Sequence, residues 1–432
     1  MYMIRPLTVA LLGGGTVGAQ VAHLINASAA DLEQRVGAPI HLTAVAVQDT
    51  TKSRPGVPAA LITGDAMAVA TSGADIVVEV MGGIEPARSL MLAAMAAGSS
   101  VVTANKALLA SDGAALHEAA AKFGVDLYFE ASVAGAIPLL RPLRESLAGD
   151  QVIKVMGIVN GTTNFMLSKM DEEGADYDDV FAEAEALGYL EADPSLDVDG
   201  HDAAAKVAIL AELAFHTKVT LDDVYCEGIS KVTAADIRAA QQMGFVIKLL
   251  AVAEIKGDNE GVIVRVHPSM VPRDHPLASV RGAFNAVFIE AKSAGQMMFY
   301  GRGAGGVPTA SAVLGDVVTA ARNRVTGGRG PRHSTYSNLV VLPIGAAMTR
   351  YYVNLDVADR PGVLAAIAAT FADNGVSIQV VRQDGHGEEA GLLLRTHLAS
   401  DASLRATVNQ LLELDAVKRV VGVMRVEGEA GA

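Results

Sequence analysis

The first 130 residues alternate between short β-rich runs and longer alanine-rich segments. The run LTVALL at 7–12 is continuously apolar, as expected of a strand buried on both faces. Further β-rich runs are HLTAVAVQD, GADIVVEVMGG, GSSVVTAN and VDLYFEAS, with helix-like segments among them. Strands that alternate with helices predict a Rossmann-type, doubly wound parallel sheet over residues 1–130.

The remainder of the chain predicts two more domains. Between residues 131 and 306, strand-like stretches such as QVIKVMGIV and GVIVRVH lie among helices, which indicates an α+β domain. A helix is predicted near 307–322, packing back on the parallel sheet, and the Gly- and Arg-rich stretch at 323–348 is predicted to be a linker. Residues 349–432 follow a βαββαβ order, which predicts a ferredoxin-like fold.

Composition narrows the class of protein. The net charge of −14 provides no field that attracts nucleic acid or an anionic membrane. Cys226 is the only cysteine, which excludes an internal disulfide framework and fits a reducing compartment. The apolar N-terminus resembles a signal peptide, but three consecutive glycines favour a buried strand entering a turn. We therefore expect a cytoplasmic protein without a nucleic-acid or membrane partner.

A glycine-rich loop follows the first predicted strand. Gly13, Gly15 and Gly18 satisfy the G-x-G-x-x-G spacing between a strand and a helix. In a dinucleotide site the first glycine permits the turn, the second admits the pyrophosphate, and the third allows helix and strand to pack closely. An ordinary glycine turn is the alternative, and the strand–helix context favours the dinucleotide site.

The residues after the second strand bear on the choice between NAD and NADP. An acid there favours NAD by binding the ribose hydroxyl, whereas a basic residue favours the additional phosphate of NADP. Here Gln48 and Asp49 are followed by Lys52 and Arg54. Both nucleotides therefore stay open at this point.

The segment GYLEADPSLDVDGHDAAAK at 188–206 combines five carboxylates with a terminal lysine. A calcium loop is excluded, because its register would place Ser195 at position one and Lys206 at position twelve, where a glutamate is needed. Asp202 and Lys206 are four residues apart on one face of an otherwise apolar helix. A partly buried lysine beside an acid is suited to proton transfer. Lys106 follows a strand at the edge where such sheets bind ligands, although a surface lysine would look the same.

Several longer motifs together resemble the homoserine dehydrogenase family. They are NGTTNF, TANKALLA, EASVAGAIPLLRPL, GRGAGGVPTASAVLGD and the acid-rich segment, in family order over essentially the whole chain. The C-terminal DVADRPGVL resembles an ACT domain, as in single-function bacterial members. The resemblance implies reversible oxidation of L-homoserine to L-aspartate 4-semialdehyde with NADP or NAD, in threonine and methionine biosynthesis. It also makes the middle domain catalytic and dimerising.

The resemblance implies roles for individual residues of the acid-rich segment and of TANK. Lys206 becomes the proton donor or acceptor at the substrate oxygen, and Lys106 lies by the nicotinamide. Glu191 binds the substrate ammonium, Asp202 orients substrate and lysine, and Asp197 lies near the substrate.

Glycines and neighbouring residues complete the implied site. Gly188 borders both substrate and nicotinamide, Gly303 belongs to a second glycine loop, and residues 160–164 line the cleft. The implied cofactor-binding residues are Gly13, Gly15, Thr16, Val17, Gly18, Gln48, Thr103, Lys106, Gly188 and Gly303.

The family also holds a monovalent cation, usually sodium, through carbonyl groups. The corresponding residues here are Glu130, Val133, Gly135 and Ile137. Three other positions depart from the family pattern. Gln48 stands where NADP-preferring members commonly carry an arginine, Arg302 where proline is frequent, and Ala136 where a second glycine is frequent.

The ACT domain implies feedback by a pathway amino acid, with L-threonine as the expected effector, at a dimer interface near Gly362 and Asn374. A role restricted to assembly is the alternative, and we expect a homodimer or homotetramer. Two other functions compete with the dehydrogenase. A non-catalytic sensor of nucleotide and amino acid would not need both Lys106 and Lys206, and the acid-rich segment argues against another amino-acid dehydrogenase.

Overall fold

The computed structural model of the protein describes residues 5–190, 193–384 and 389–428. They form two compact units. Unit 1 contains the chain up to Ile153, Ala208–Leu221 and Asn285–Asn338, and unit 2 contains Lys154–Val207, Asp222–Phe284 and the chain from Leu339 onward.

The described chain has strands and helices with the following bounds. The strands are β1 Leu7–Leu12, β2 Ile40–Ala46, β3 Ile62–Thr63, β4 Ile76–Glu79, β5 Ser100–Thr103, β6 Leu127–Tyr128, β7 Val152–Ile158, β8 Tyr225–Cys226, β9 Phe245–Lys256, β10 Gly261–Pro272, β11 Phe284–Ala291, β12 Gly295–Arg302, β13 Met348–Ala358, β14 Ile378–Asp384, β15 Glu389–Thr396, β16 Ala399–Ser400 and β17 Val417–Val426. The helices are α1 Thr16–Ala27, α2 Ala29–Val36, α3 Ala66–Ala70, α4 Ala87–Ala96, α5 Lys106–Phe123, α6 Gly161–Glu173, α7 Tyr177–Ala186, α8 Ser195–Val198, α9 His201–Phe215, α10 Ala234–Gln242, α11 Gly306–Thr326, α12 Val363–Asp373 and α13 Asp401–Leu411.

Unit 1 is built on a parallel sheet with the strand order β3-β2-β1-β4-β5-β6. This order is that of the dinucleotide-binding fold, in which the chain reverses direction across the sheet beside β1. The apolar run at 7–12 forms the central strand β1, whose residues Val9 and Leu11 are fully buried. The predicted doubly wound parallel sheet is therefore confirmed.

Helix α11 contributes to the core of unit 1. Its residues Val313, Val317 and Ala320 are fully buried in the same cluster as Val9 and Leu11. The helix continues to Thr326, beyond the start expected for the linker. Part of the segment that follows is also tied to unit 1, since the backbone N–H of Gly330 donates to Asp126 at 2.9 Å.

Unit 2 contains long antiparallel strands that continue into the C-terminal domain. Its strands lie in the order β7-β9-β10-β17-β13-β15-β14. Strand β9 pairs with β7 and along its whole length with β10, and β10 pairs in parallel with the end of β17 through Ser269–Arg425 and Met270–Val426. The last strand of the C-terminal domain is thus bonded directly to a strand of the middle domain.

The C-terminal domain follows β13, α12, β14, β15, α13, β17, which confirms the predicted βαββαβ order, with the two-residue β16 in addition. Its core is formed by one face of the strands and the buried sides of the two helices, including Leu355, Ile367, Phe371 and Leu404. Within the ranges the structure describes, no helix is long and apolar enough to span a membrane.

Candidate functional site

The glycine loop lies between β1 and α1, and two of its glycines are required by close contacts. A Cβ atom on Gly18 would lie 2.1 Å from the carbonyl oxygen of Gly13. Gly13 has φ +110°, and a Cβ there would lie 2.8 Å from the backbone of Val80, the residue after β4. A Cβ on Gly15 would have no neighbour within 4 Å. The loop therefore presents open backbone at Gly15 and at the start of α1, where a pyrophosphate binds in this fold.

The next residues of the loop have different surroundings. Thr16 is exposed at the first turn of α1, whereas Val17 packs against the apolar core of unit 1. The second glycine loop comes close to this turn, since a Cβ on Gly306 would lie 2.7 Å from Cγ2 of Thr16. Gly303 is close to Asn285, whose side chain would lie 2.0 Å from an added Cβ. Unit 1 thus brings both glycine loops together.

A buried carboxylate organises the ends of β4 and β5. Glu79 accepts hydrogen bonds from the backbone of Met81 at 2.8 Å and Gly82 at 3.0 Å, and from the hydroxyl of Thr103 at 2.6 Å. Asn105 caps α5 through Leu108, so Lys106 is the first residue of that helix. Sequence reasoning missed Glu79, although an acid at the end of the apolar run IVVEV was a signal.

The residues after β2 bear on the choice between the two nucleotides. Gln48 is exposed, and Asp49 accepts a hydrogen bond from its neighbour Thr51 at 2.6 Å. This bond and the backbone N–H of Thr51 hold the pKa of Asp49 below its usual value. Arg54 donates from Nε to the carbonyl of Gly14 at 3.1 Å, which places a guanidinium at the glycine loop.

In unit 2, Lys206 lies at the centre of a buried polar cluster on α9. Only 8% of the residue is exposed. Its Nζ atom donates to Oδ2 of Asp202 at 2.7 Å and to the carbonyl of Val159 at 2.6 Å. The spacing of four residues places the two side chains on one helical face, as expected. The two acceptors fix the direction of the lysine side chain.

Asn160 connects this lysine–aspartate pair to a second carboxylate. Its Nδ2 atom donates to Asp197 at 2.6 Å and to Asp202 at 3.0 Å. Its Oδ1 atom accepts from the backbone of Thr163 and so caps α6. Asp197 is 3% exposed, so the cluster holds two carboxylates and one lysine away from bulk water. This arrangement can stabilise a cationic group and pass a proton.

Two predicted substrate residues border this cluster in sequence. Glu191 lies outside the described residues. Gly188 has φ +71° after α7, and the following Tyr189 accepts at its carbonyl a hydrogen bond from Thr162 at 2.7 Å. The acid-rich segment is thereby anchored to the first turn of α6.

A buried lysine, Lys248, bonds to the first turn of α6. Sequence reasoning did not identify this residue. Lys248 on β9 donates to Asn164 at 2.9 Å and to the carbonyl of Val280 at 2.6 Å. Asn164 in turn donates to the carbonyls of Gly282 and Phe284. Burial lowers the pKa of Lys248 to about 8. These contacts hold the NGTTN turn in place.

The segment predicted to hold a cation contains a tight turn with unusual backbone angles. Ala134 and Gly135 both have φ +55°, and Val133 and Ile137 are buried. The side chain of Glu130 accepts bonds from the backbone of residues 139–141 and from the Arg141 side chain, so its carboxylate is already engaged by the protein. Among the residues described, no group of three or more His, Cys, Asp or Glu side chains is arranged to hold a metal ion.

Two of the three departures from the family pattern, at Ala136 and Arg302, lie in the same region. Ala136 donates its backbone N–H to the carbonyl of Arg302 at 3.1 Å, and the Arg302 residue is exposed. A Cβ on Gly135 would lie 2.3 Å from the carbonyl oxygen of Gly303, which explains the glycine there.

The C-terminal domain has a cavity of about 420 Å³ at the loop between β13 and α12. Asp359, Arg360, Gly362 and Gln383 are among the residues that line it. Asn374 does not line this cavity. It lies at the other end of α12, where its side chain bonds to Thr370 and Gln410.

Three family models match the chain in order. They are "Homoserine dehydrogenase, NAD binding domain" at residues 13–130, "Homoserine dehydrogenase" at 138–318 and "ACT domain" at 351–416. The chain is 57% identical to a homoserine dehydrogenase of Mycobacterium tuberculosis over 98% of both chains.

The solved structures that resemble this chain are also homoserine dehydrogenases. The chain is similar to a homoserine dehydrogenase from Thiobacillus denitrificans, with a TM-score of 0.92 and 38% identity over 99% of both chains. It also resembles a hyperthermophilic archaeal homoserine dehydrogenase in complex with NADPH, with a TM-score of 0.61 and 28% identity over 73% of this chain and 97% of the other.

Proposed function

The chain belongs to the homoserine dehydrogenase family of oxidoreductases, and from this membership we propose that Lys206 exchanges the proton at the hydroxyl oxygen of L-homoserine. In the reducing direction, the Lys206 ammonium donates a proton to the aldehyde oxygen of L-aspartate 4-semialdehyde. In the oxidising direction, the neutral amine accepts the hydroxyl proton. The bound nicotinamide supplies the hydride chemistry, and the protein supplies orientation and proton transfer.

The observation that carries this assignment is the pair of bonds that hold Nζ of Lys206. Asp202 at 2.7 Å balances the charge of the ammonium, and the carbonyl of Val159 at 2.6 Å fixes its direction. A lysine buried in this way is held at one position, as proton transfer requires. We assign Asp202 to orienting Lys206 and the substrate.

The carboxylates around the cluster suit an amino-acid substrate. We assign Glu191 to the substrate ammonium, with Asp197 close to it and Gly188 bordering the substrate. The burial of Asp197 and its bond to Asn160 support this placement, because a carboxylate shielded from water attracts an ammonium more strongly.

A bound nucleotide would be held in unit 1 by the two glycine loops, Thr103 and Lys106. We propose a preference for NADP over NAD. Arg54 supports this preference, because it offers a cation at the glycine loop, and one oxygen of Asp49 already accepts from Thr51. Gln48 weakens the case for NADP, because it stands where NADP-preferring members commonly carry an arginine, so the proposed preference rests on Arg54.

We also propose a monovalent cation, with sodium as the expected ion, at the carbonyl oxygens of Glu130, Val133, Gly135 and Ile137. Two consecutive residues with positive φ turn successive carbonyl groups in this segment, which supports the proposal. Hard cations of this kind prefer oxygen ligands.

The ACT domain indicates regulation by an amino acid. We propose that L-threonine binds at the loop around Gly362, where the cavity includes the charged side chains of Asp359 and Arg360. L-Threonine carries an ammonium and a carboxylate group, which side chains of opposite charge can bind. A homodimer or homotetramer and a cytoplasmic location remain predictions.

Initial rates test the proposed function. L-Homoserine is supplied with NAD or NADP, with and without L-threonine, and formation of the reduced nucleotide is followed. Lys206→Ala should lower kcat by about 10²–10⁴-fold while nucleotide binding is retained. Turnover by Lys206→Ala at the parent rate would contradict the assignment. If the parent shows nucleotide binding but no turnover, the non-catalytic sensor becomes the better interpretation.

A further inference from the structure

Four charged side chains form a closed ring between β7, β9, β10 and the end of the C-terminal domain. Lys154 lies 3.0 Å from Glu427, Glu427 lies 2.6 Å from Arg265, and Arg265 lies 2.6 Å from Glu254. Glu254 completes the ring 3.3 Å from Lys154. The ring contains two cations and two carboxylates, so its formal charge is zero.

The ring is buried. Arg265 is completely inaccessible to solvent, and Glu427 is 4% exposed. Burial alone would lower the pKa of Lys154, but Glu427 and Glu254 raise it above its usual value. Burial would likewise raise the pKa of Glu427, and Lys154 and Arg265 hold it well below its usual range. Lys154 and Glu427 are therefore both charged, and each charge depends on its partners in the ring.

Glu427 joins this ring to the ACT domain. It follows β17 directly, and its backbone N–H donates to the carbonyl of Met270 on β10 at 3.0 Å. Strand β17 pairs with β13 from Val426–Arg350 to Val417–Val357. Val357 lines the cavity of the C-terminal domain, so the strand pair β13–β17 extends from that cavity to the ring.

Lys154 joins the ring to the catalytic cluster. It lies on β7, and five residues further along the chain Val159 provides the carbonyl that accepts from Lys206 at 2.6 Å. The next residue, Asn160, donates to Asp197 and Asp202. An extended strand transmits a shift along its axis, because its backbone has little freedom to compress. Val159 and Asn160, which orient Lys206, follow the end of this strand directly.

We propose that Glu427 is a positioning residue of the ACT domain, which acts through Lys154 and β7 on the carbonyl of Val159 and so on the orientation of Lys206. The inference rests on the proposed role of Lys206. It gives effector binding at the C-terminal cavity a physical route to the catalytic cluster, because any movement of β17 changes the ring. On this proposal, the ring is the element on which both sites act.

The test compares the full-length parent with Glu427→Gln and the double variant Glu427→Gln/Lys154→Met. The single variant leaves an uncompensated cation in the ring and should unfold at a lower temperature. The double variant restores a formal charge of zero, because the Arg265–Glu254 pair remains, and its unfolding temperature should return toward that of the parent. Its kcat should nevertheless stay about tenfold below the parent value, because the link to β7 is still missing.

Two further readouts separate positioning from structure. The KM for the nucleotide should stay within about twofold of the parent value, because the glycine loops lie in the other unit. Amide hydrogen exchange in the peptide that covers 155–160 should be faster in the double variant. The matched control is Glu260→Gln, which removes an exposed ion pair at the turn between β9 and β10, at 3.4 Å from Lys256, and should leave kcat and exchange unchanged.

Parent values of kcat and of exchange at 155–160 in the double variant would overturn the proposal. If the double variant does not fold, Glu427→Asp keeps the charge and shortens the side chain. It should lower kcat while the protein remains folded, and the parent kcat in that variant would also overturn the proposal. Lys206→Ala is measured in parallel. If it keeps full turnover, the assignment of Lys206 fails, and the exchange measurement still decides whether Glu427 acts on β7.

Discussion

The side-chain amide of Asn160 donates a hydrogen bond to the Oδ2 atom of Asp202 at 3.0 Å. That oxygen also accepts from Lys206, so one carboxylate atom joins the lysine to the end of β7. The same amide nitrogen donates to Asp197 at 2.6 Å. Asn160 is therefore the neutral donor that lets two carboxylates lie side by side.

Asn160→Asp should lower kcat by about 10²-fold, because a third carboxylate beside Asp197 and Asp202 repels both and shifts the partner of Lys206. An aspartate retains the oxygen that caps α6, so folding should be largely preserved. Steady-state rates and thermal unfolding of the variant measure the two effects. A variant that unfolds like the parent and turns over at the parent rate would contradict the role of Asn160.

Gly18→Ala should weaken nucleotide binding by at least about tenfold. The added Cβ would lie 2.1 Å from the carbonyl of Gly13, so β1 and α1 must separate and the pyrophosphate loop changes shape. Fluorescence or calorimetric titration with the nucleotide measures the affinity. Gly113→Ala is the matched control, because Gly113 lies within α5 and its Cβ would have no neighbour within 4 Å. Equal affinities of the two variants would show that the close contact at Gly18 is unimportant.

The sequence predicted those parts of the site that depend on neighbouring residues. The glycine loop follows β1 directly, and Asp202 and Lys206 are related by one helical turn, so local spacing was sufficient. Asn160 lies 37 residues from Asp197 along the chain, and Arg265 lies 162 residues from Glu427. The packing of α8 against α6 brings the first pair together, and the pairing of β17 with β10 brings the second together. No local pattern encodes either arrangement.

The sequence also did not reveal the hydrogen-bond partners of two carboxylates in unit 1. The sequence suggested that Asp49 could bind a ribose, but one of its oxygens accepts a hydrogen bond from Thr51. Glu79 is the last residue of an apolar run, and nothing near it in the sequence indicates that it accepts a hydrogen bond from Thr103. A carboxylate in a sequence does not reveal whether its acceptors are satisfied by the protein or by a ligand.

Arg54→Ala should lower the affinity for NADP about tenfold and change that for NAD much less. The guanidinium lies at the glycine loop, where it bonds to Gly14, and it can pair with the phosphate that distinguishes the two nucleotides. The ratio of kcat/KM with NADP to that with NAD measures the change. Lys218→Ala, elsewhere in unit 1, controls for the loss of one positive charge. An unchanged ratio in Arg54→Ala would exclude this arginine from the phosphate site.

Asp316→Asn should flatten the pH dependence of stability. Burial and the neighbouring Glu130 raise the pKa of Asp316 from its usual 3.8 to about 7 in the folded protein. Below about pH 4 both states hold the proton. As the pH rises to about 7, the unfolded chain releases its proton first, so the stability contributed by the protonated carboxyl is progressively lost.

An asparagine at this position keeps an acceptor for the backbone N–H of Glu130, which bonds to Asp316 at 2.8 Å, and it does not titrate. The free energy of unfolding should therefore fall less between pH 5 and 8 in the variant than in the parent, by on the order of a few kcal/mol. Denaturant unfolding at several pH values measures the slope. Asp31→Asn changes an exposed acid of the same unit and should keep the parent slope. If Asp316→Asn also keeps that slope, Asp316 is ionised throughout the range, and its charge must be balanced by Arg141, whose Nε lies 3.6 Å away.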